Sequence, residues 1–196
     1  NLFLMPISPI FHLNLMSSKQ KNEAVSVIIP NWNGKHLLEV CLKSLQNQTL
    51  KKFEIILVDN GSKDGSTTYV KKYFPQVKVI NLDKNYGFTK AVNVGIINAK
   101  GSYLVLLNND TEVDKNFLLH LVKAASKHPE VGFVAAKMLN FYSRNIIDSA
   151  WDAVDVVGHS YSVGQGKKDG PQFNKAGYVF LVTGGSSLFK REVFKE

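Results

Sequence analysis

Apolar positions along this chain switch repeatedly between two spacings. The run VSVIIP, Val25 to Pro30, is short, β-branched and closed by proline, which predicts a buried strand. From Gly34 to Gln48 the spacing becomes helical, with Leu37, Leu38, Cys41, Leu42 and Leu45 on one face. EIILVD, Glu54 to Asp59, predicts a second strand, and Asp64 is placed to cap a helix carrying Val70, Tyr73 and Phe74. VKVINL, Val77 to Leu82, predicts a third strand, and Phe88 to Ala99 a helix with Phe88, Val92, Ile96 and Ala99 aligned. SYLVLLN, Ser102 to Asn108, predicts a fourth strand. A helix follows, capped by Asp114, with Phe117, Leu118, Leu121, Val122 and Ala125 turned inward. VGFVAAKML, Val131 to Leu139, predicts a fifth strand.

Strand and helix thus alternate with short connections, the pattern of βαβ units. The expected fold class is α/β: a mostly parallel central sheet with helices on both faces. After Leu139 the rhythm breaks. Asn140 to Gly177 is rich in glycine and polar residues without a period, and a loop of that length inside a compact domain usually serves function. Tyr178 to Phe194 reads as a strand-like run that turns at Gly184 and Gly185 and then resumes.

Charge narrows the partners. Lys and Arg number 24 against 16 Asp and Glu, a formal net charge of +8, which favours anions such as nucleotide diphosphates or an anionic membrane face. No dense basic block with interleaved aromatics occurs, so nucleic acid is not an expected partner. Cys41 is the only cysteine. It sits on a helical apolar stripe and reads as a buried, inert thiol in a reducing, cytoplasmic setting. No run of 18 apolar residues is present. The first residues, NLFLMPISPIFHLNLM, are broken by Pro6 and Pro9 and lack a basic start. Residues 1–24 are therefore expected to be a flexible extension, with Met16 as a candidate start, ahead of one domain over 25–196.

Ligands of open α/β sheets bind beyond the carboxyl ends of the strands. Those ends carry Asn31, Trp32 and Asn33; Asp59, Asn60, Gly61 and Ser62; Asp83, Lys84, Asn85 and Gly87; and Asn108, Asn109 and Asp110. Such residues dominate turns in any case. A carboxylate at the end of both the second and the fourth strand is more than turning requires. No G-x-G-x-x-G follows the first strand, no G-x-x-x-x-G-K-[ST] occurs, no G-x-S-x-G occurs, and no Cys/His spacing suits zinc. What remains is a site of hard oxygen donors. Asp110 with its neighbouring amides suits Mg²⁺ or Mn²⁺, which complete their shells with phosphate oxygens and water. Lys84 and Lys90 are nearby in sequence as further counter-charges for a diphosphate.

The segments VSVIIPNWNG, FEIILVDNGSKDGS, NLDKNYGFTKAVNVGI, GSYLVLLNNDTEVD, HPEVGFVAAKM and VTGGSSLFKREVF, in this order, resemble the family 2 glycosyltransferases, which share the A-type (GT-A) fold. They cover Val25 to Phe194. The NND triplet looks most like the rhamnosyltransferase-like branch. The resemblance implies inverting transfer of a sugar from a nucleotide-diphosphate donor, of UDP or dTDP type, to a saccharide or lipid-linked acceptor, in surface polysaccharide or cell-wall glycan synthesis. By position, Pro30, Asn31, Trp32 and Asn33 would line the nucleotide pocket, with Trp32 near the base. Asp59 and Asn60 would meet base and ribose, and Asn85, Gly87 and Asn93 would approach ribose and phosphates. Asn108, Asn109 and Asp110 match the Asp-x-Asp position, with Asp110 the ligand of the divalent cation and Asn108 in place of the first carboxylate. Thr183, Gly184 and Gly185 match a turn on the acceptor side.

Relatives of this kind carry an acidic pair, supplying the general base, beyond the segment where this sequence ends. Glu192, Glu196, Asp148, Asp152 and Asp155 do not match that motif. The base is therefore expected beyond Glu196, and the domain to be C-terminally truncated. A sugar nucleotidyltransferase and a non-catalytic nucleotide-sugar-binding module remain as alternatives; NWNGKH is a poor match to the basic glycine-rich loop of the former. Acceptors of this type are often lipid-linked, so peripheral contact at the inner face of a membrane is an expected partner interaction.

Overall fold

The computed structural model describes residues 24–194. The expected extension over residues 1–24 falls, but for its last residue, outside them, as does Glu196. In chain order the elements are β1 (Val25–Asn31), α1 (Lys35–Gln46), β2 (Phe53–Asp59), α2 (Ser66–Tyr73), β3 (Lys78–Asn81), α3 (Phe88–Asn98), β4 (Tyr103–Leu107), α4 (Phe117–Lys127), β5 (Phe133–Ala135), β6 (Met138–Leu139), β7 (Ile147–Ser149), β8 (Trp151–Val154), β9 (Ser160–Val163) and β10 (Ser186–Lys190). The central sheet has the order β3-β2-β1-β4-β10-β5, parallel from β3 to β4, with β10 antiparallel to both of its neighbours.

Helices cover both faces because the parallel strands are apolar on both. Val25, Val27, Ile29, Ile55, Leu57, Val105 and Leu107 pack with α1, α2 and α4. The alternate residues Ile28, Ile56, Val58, Leu104 and Leu106 pack with α3 on the other face. This is the period of two expected of strands buried on both sides. Helix α3 lies close to the sheet: a Cβ on Gly95 would stand 2.3 Å from Ile28 Cγ2, so the glycine sets how near the helix lies.

Two of the expected caps act differently. Asp64 stands one residue before the N-cap position, which Gly65 fills with φ +83°. Its carboxylate accepts from the backbone N–H of Ser66 and, 2.8 Å away, from that of Lys35, tying the starts of α2 and α1 together. Burial opposes its charge, but the Ser66 hydroxyl and these N–H groups outweigh burial and hold the carboxyl below its ordinary range. Asp114 likewise precedes the N-cap, Asn116, whose N–H it accepts at 2.8 Å. The side chain serving α4 itself is Gln48. It is fully buried, accepts the Leu118 N–H at 3.0 Å and donates to the carbonyls of Ser44 and Asp114.

The expected fifth strand is two strands. Phe133–Ala135 pairs with β10, whereas Met138–Leu139 leaves the sheet to pair with β7. Lys137 marks the break: its ammonium is drawn away to Asp169 and Asn174. The stretch 140–177 is not the unstructured loop its composition suggested, since β7 and the β8–β9 hairpin lie in it. Of the strand-like run before Gly184, only Leu181 forms a bridge, to Asp152 of that hairpin. No helix of the described residues is long and apolar enough to cross a membrane.

Replacing Gln48 by Leu keeps the volume but strips the partner from the buried Leu118 N–H, whereas the Asp114 carbonyl keeps the Phe117 N–H. Urea unfolding of Gln48→Leu should show a loss of about 1–3 kcal/mol for the N–H left unpaired, whereas exposed Gln46→Leu should stay within about 0.5 kcal/mol of the parent.

Candidate functional site

The sheet order reverses at β1: β2 lies on one side of it and β4 on the other. The carboxyl ends of β1 and β4 flank this switch point, the place where α/β folds bind ligands. Asn31, the last residue of β1, and Asn109, just past β4, meet there. Asn109 Nδ2 donates to Asn31 Oδ1 at 2.7 Å, and Asn31 Nδ2 donates to Asp59 Oδ1 at 2.9 Å. Asp59 Oδ2 accepts the Ser62 N–H at 2.9 Å. Asn31 and Asp59 are 2% and 3% exposed.

This chain of bonds has a direction. Asp59 accepts at both oxygens, so Asn31 must turn its NH₂ toward Asp59 and its oxygen toward Asn109. Asn109 must then turn its own NH₂ inward, which leaves its carbonyl oxygen outside the relay, on the residue before Asp110. That oxygen has no partner among the described residues. Gly34 makes the approach possible, because a Cβ there would stand 2.2 Å from Asn109 Nδ2 and 2.6 Å from Asn31 Oδ1.

A second clamp joins β2 to the loop after β3. Asn60, 4% exposed, donates to Asn85 Oδ1 at 2.9 Å and to the Gly87 carbonyl at 3.1 Å, and accepts the Tyr86 N–H at 2.9 Å. Both ends of its amide are thus used to hold the loop, and a carboxylate there could make only the last of these bonds. Gly61, at φ +76°, lets the loop after β2 lie against the backbone of Lys84, since a Cβ would stand 2.5 Å from Lys84 Cα. Asn33 adopts φ +50°, donates its N–H to Ser62 Oγ at 2.8 Å and accepts the Lys63 N–H at 2.8 Å. Pro30 is half-buried opposite Val58, and Trp32 stands 56% exposed at the mouth.

The acceptor-side candidates reach the same rim. The Gly185 carbonyl accepts the Asn108 N–H at 2.9 Å, and Gly185 N–H bonds Thr183 Oγ1. Gly184 lies over the ring of Phe88. Asn93 is different: it stands exposed on α3, with none of the hydrogen bonds that join the others. Lys84 lies over the Tyr86 ring at 5.1 Å.

Asp110 is exposed at the rim and lines a cleft of about 1440 Å³ that runs along α4 and under residues 173–179. Of the other carboxylates considered, Asp148 lines that cleft too. Asp152 is buried between Ser149 and Ser162, and Asp155 is bound into its own hairpin turn. Glu192 follows β10, which runs antiparallel and delivers it to the opposite edge of the sheet, where Arg191 bonds the Gly101 carbonyl. Among the described residues no three carboxylate, imidazole or thiolate groups lie together. The oxygens on offer to a cation are therefore the Asp110 carboxylate and the Asn109 carbonyl outside the relay. That sparse set fits Mg²⁺ or Mn²⁺, which take most of their ligands from phosphate and water. Below the rim, burial pushes the Cys41 thiol up to about 12, and its Sγ faces the Asn108 carbonyl, an inert packing role.

Comparison with known proteins bears on the family and the fold. The profile of Glycosyl transferase family 2 matches residues 26–196. Glycosyltransferase GlyG of Streptococcus pneumoniae is 37% identical over 101 residues, 50% of this chain and 33% of that protein. Cholesterol galactosyltransferase of Borreliella burgdorferi is 38% identical over 96 residues, 48% of this chain and 27% of that protein. The chain thus spans about a third of the length of these curated relatives. Among solved structures, S. aureus TarS 1-349 superposes with a TM-score of 0.58 at 27% identity, over 68% of this chain and 41% of that one. Mannosyltransferase PcManGT from Pyrobaculum calidifontis, in complex with GDP-Man and Mn²⁺, gives 0.61 at 23% identity over 87% and 45%, a likeness of fold. The architecture is the α/β GT-A fold.

Gly34→Ala should force the Asn31–Asn109 pair apart and cost about 1–3 kcal/mol, the range for stranding a buried polar group. Because Asn109→Ala removes the same bond, urea unfolding of the double variant should show clearly less than the sum of the two single losses.

Proposed function

This chain belongs to glycosyl transferase family 2, and we propose that it transfers a sugar, with inversion, from a nucleotide-diphosphate donor of UDP or dTDP type to a hydroxyl of a saccharide or lipid-linked acceptor. The process it serves is surface polysaccharide or cell-wall glycan synthesis, at the cytoplasmic side of a membrane. The observation that carries this reading is the meeting of four strand-end loops at the β1/β4 switch point, with Asp110 and the Asn109 carbonyl at its rim. A relative of known structure, TarS 1-349 in complex with UDP-GlcNAc, is 25% identical over 69% of this chain, which supports the donor class.

In this reading each part has a physical task. Pro30 to Asn33 and Asp59 with Asn60 form the nucleoside wall. The exposed Trp32 ring offers a face for a base, and the rigid 60–87 clamp holds Asn85 and Gly87 toward the ribose and phosphates. Asn93 takes part only through contact with donor. Asp110 and the Asn109 carbonyl would hold Mg²⁺ or Mn²⁺, which when bound neutralises charge on the leaving diphosphate. Asn108 in place of a first carboxylate lowers the charge of the site, in keeping with a rhamnosyltransferase-like branch. Thr183 to Gly185 form the floor on which the acceptor approaches the sugar from the side opposite the diphosphate, the approach that inversion requires.

Asp110→Ala should leave the fold intact and abolish cation-dependent donor binding. In a thermal-shift screen of nucleotide sugars with and without Mn²⁺, the parent should gain roughly 2.7 kcal/mol at a hundredfold excess of its donor over the dissociation constant. The variant should gain nothing from Mn²⁺. Equal Mn²⁺-dependent gains in both chains would remove Asp110 from the site.

A further inference from the structure

The cleft that begins at Asp110 is larger than the roughly 300–1,000 Å³ of ordinary small-molecule sites, and its walls are of two kinds. One is α4. Its sequence FLLHLVKAASK contains no acidic residue, and His120, Lys123 and Lys127 stand exposed along it, all lining the cleft. Lys123 and Lys127 are like charges at i, i+4, an arrangement that costs an isolated helix a few tenths of a kcal/mol. Lys127, in the last turn, offsets that cost against the helix dipole; Lys123, a turn earlier, does so far less. Lys175, between Asn174 and Ala176 of the same lining, is a third lysine of the cleft.

Two other basic groups of the cleft are already matched, and Asp114 and Asp148 line it as carboxylates without an ion pair among the described residues. Arg144 pairs with Glu112 at 2.6 Å and Lys137 with Asp169 at 2.8 Å. Lys123, Lys127 and Lys175 have no carboxylate partner among the described residues, so three ammonium groups of the lining are open to an anion. The other wall is aromatic: the rings of Trp151 and Phe173 lie 6.5 Å apart, and each lines the cleft. Apolar ring faces and unpaired ammonium groups lining one cleft match a ligand with a sugar face and an anionic group.

We infer that this cleft takes an acceptor bearing a phosphate ester, with the sugar against Trp151 and Phe173 and the phosphate between Lys123, Lys127 and Lys175. The inference rests on the proposed transferase reading and takes the cleft, which Asp110 and Ser186 line, as the continuation of the acceptor side beyond Thr183 to Gly185. The phosphate could belong to a soluble saccharide or to a lipid head group, and the two are separable by experiment.

The sequence has two tryptophans, so Trp32→Phe leaves Trp151 as the sole reporter of the cleft. In that background, hexose 1-phosphates should quench Trp151 fluorescence at concentrations about tenfold below the matching free hexoses, an electrostatic preference that added salt weakens. Lys123→Glu/Lys127→Glu should erase the preference, and Lys123→Gln/Lys127→Gln, a milder change on an exposed face, should reduce it. Vesicles of phosphatidylcholine with and without phosphatidic acid form the second arm. A response confined to phosphatidic acid vesicles and lost on charge reversal assigns the phosphate to a lipid. Equal binding of charged and neutral probes in both arms, or binding untouched by charge reversal in folded protein, overturns the inference. Donor binding through Asp110 is read separately, so a transferase with a neutral acceptor would be recognised as such.

Discussion

A carboxylate that can only accept hydrogen bonds sets the polarity of the relay at the switch point. Asp59 ends a buried strand and is closed off from water. It takes an N–H from Asn31 and another from the Ser62 backbone. An amide has one accepting and one donating end, so fixing Asn31 at one end fixes the other, and the same holds for Asn109 beyond it. The sense of the relay is thus transmitted from the inside of β2, across β1, to the end of β4. Its last member keeps an oxygen outside the relay, one residue before Asp110. Reversing any amide would set NH₂ against NH₂ or oxygen against oxygen in a site where water does not relieve the clash.

The topology explains why three strands are involved. Parallel strands linked by α1, α2 and α3 all end on one edge, and the reversal of strand order at β1 puts the switch point between β1 and β4. Gly34 starts α1 at that switch point, where a side chain would occupy the Asn31–Asn109 bond. The antiparallel β10 then returns from this edge, so Thr183 to Gly185 lie at the rim while Arg191 and Glu192 lie at the far side. The rigid part of the site comes from buried strand ends. By contrast, β6 to β9 and the segment leading to β10 are short and pair locally.

Those differences decide what could be read from the amino-acid order. The parallel core was legible because both faces of β1, β2 and β4 are buried, which gives continuous apolar runs closed by Asn and Asp. The convergence of Asn31, Asp59 and Asn109 followed from strand ends alone. The direction of the relay did not, because an amide in a sequence has no orientation until its neighbour is known. The clamp role of Asn60 was hidden for the same reason: its partners at 85–87 are distant in the chain. Asp64 and Asp114 had the right residue type for caps but stand one and two positions early. The real support of α4, Gln48, lies some seventy positions away from Leu118. The split at Lys137 and the hairpins over 147–163 escaped notice because strands of two to four residues carry too few alternations to show a period.

The direct test of the relay is exchange of side-chain amide protons, followed by NMR in protein labelled with ¹⁵N-asparagine. Asp59→Asn keeps the size of residue 59 but offers one acceptor where two N–H groups point. The account predicts that the NH₂ protons of Asn31 and Asn109 are both protected in the parent. It predicts further that Asn109 loses protection in Asp59→Asn, although residue 59 never touches it. Unchanged protection of Asn109 in a folded Asp59→Asn chain would contradict the account.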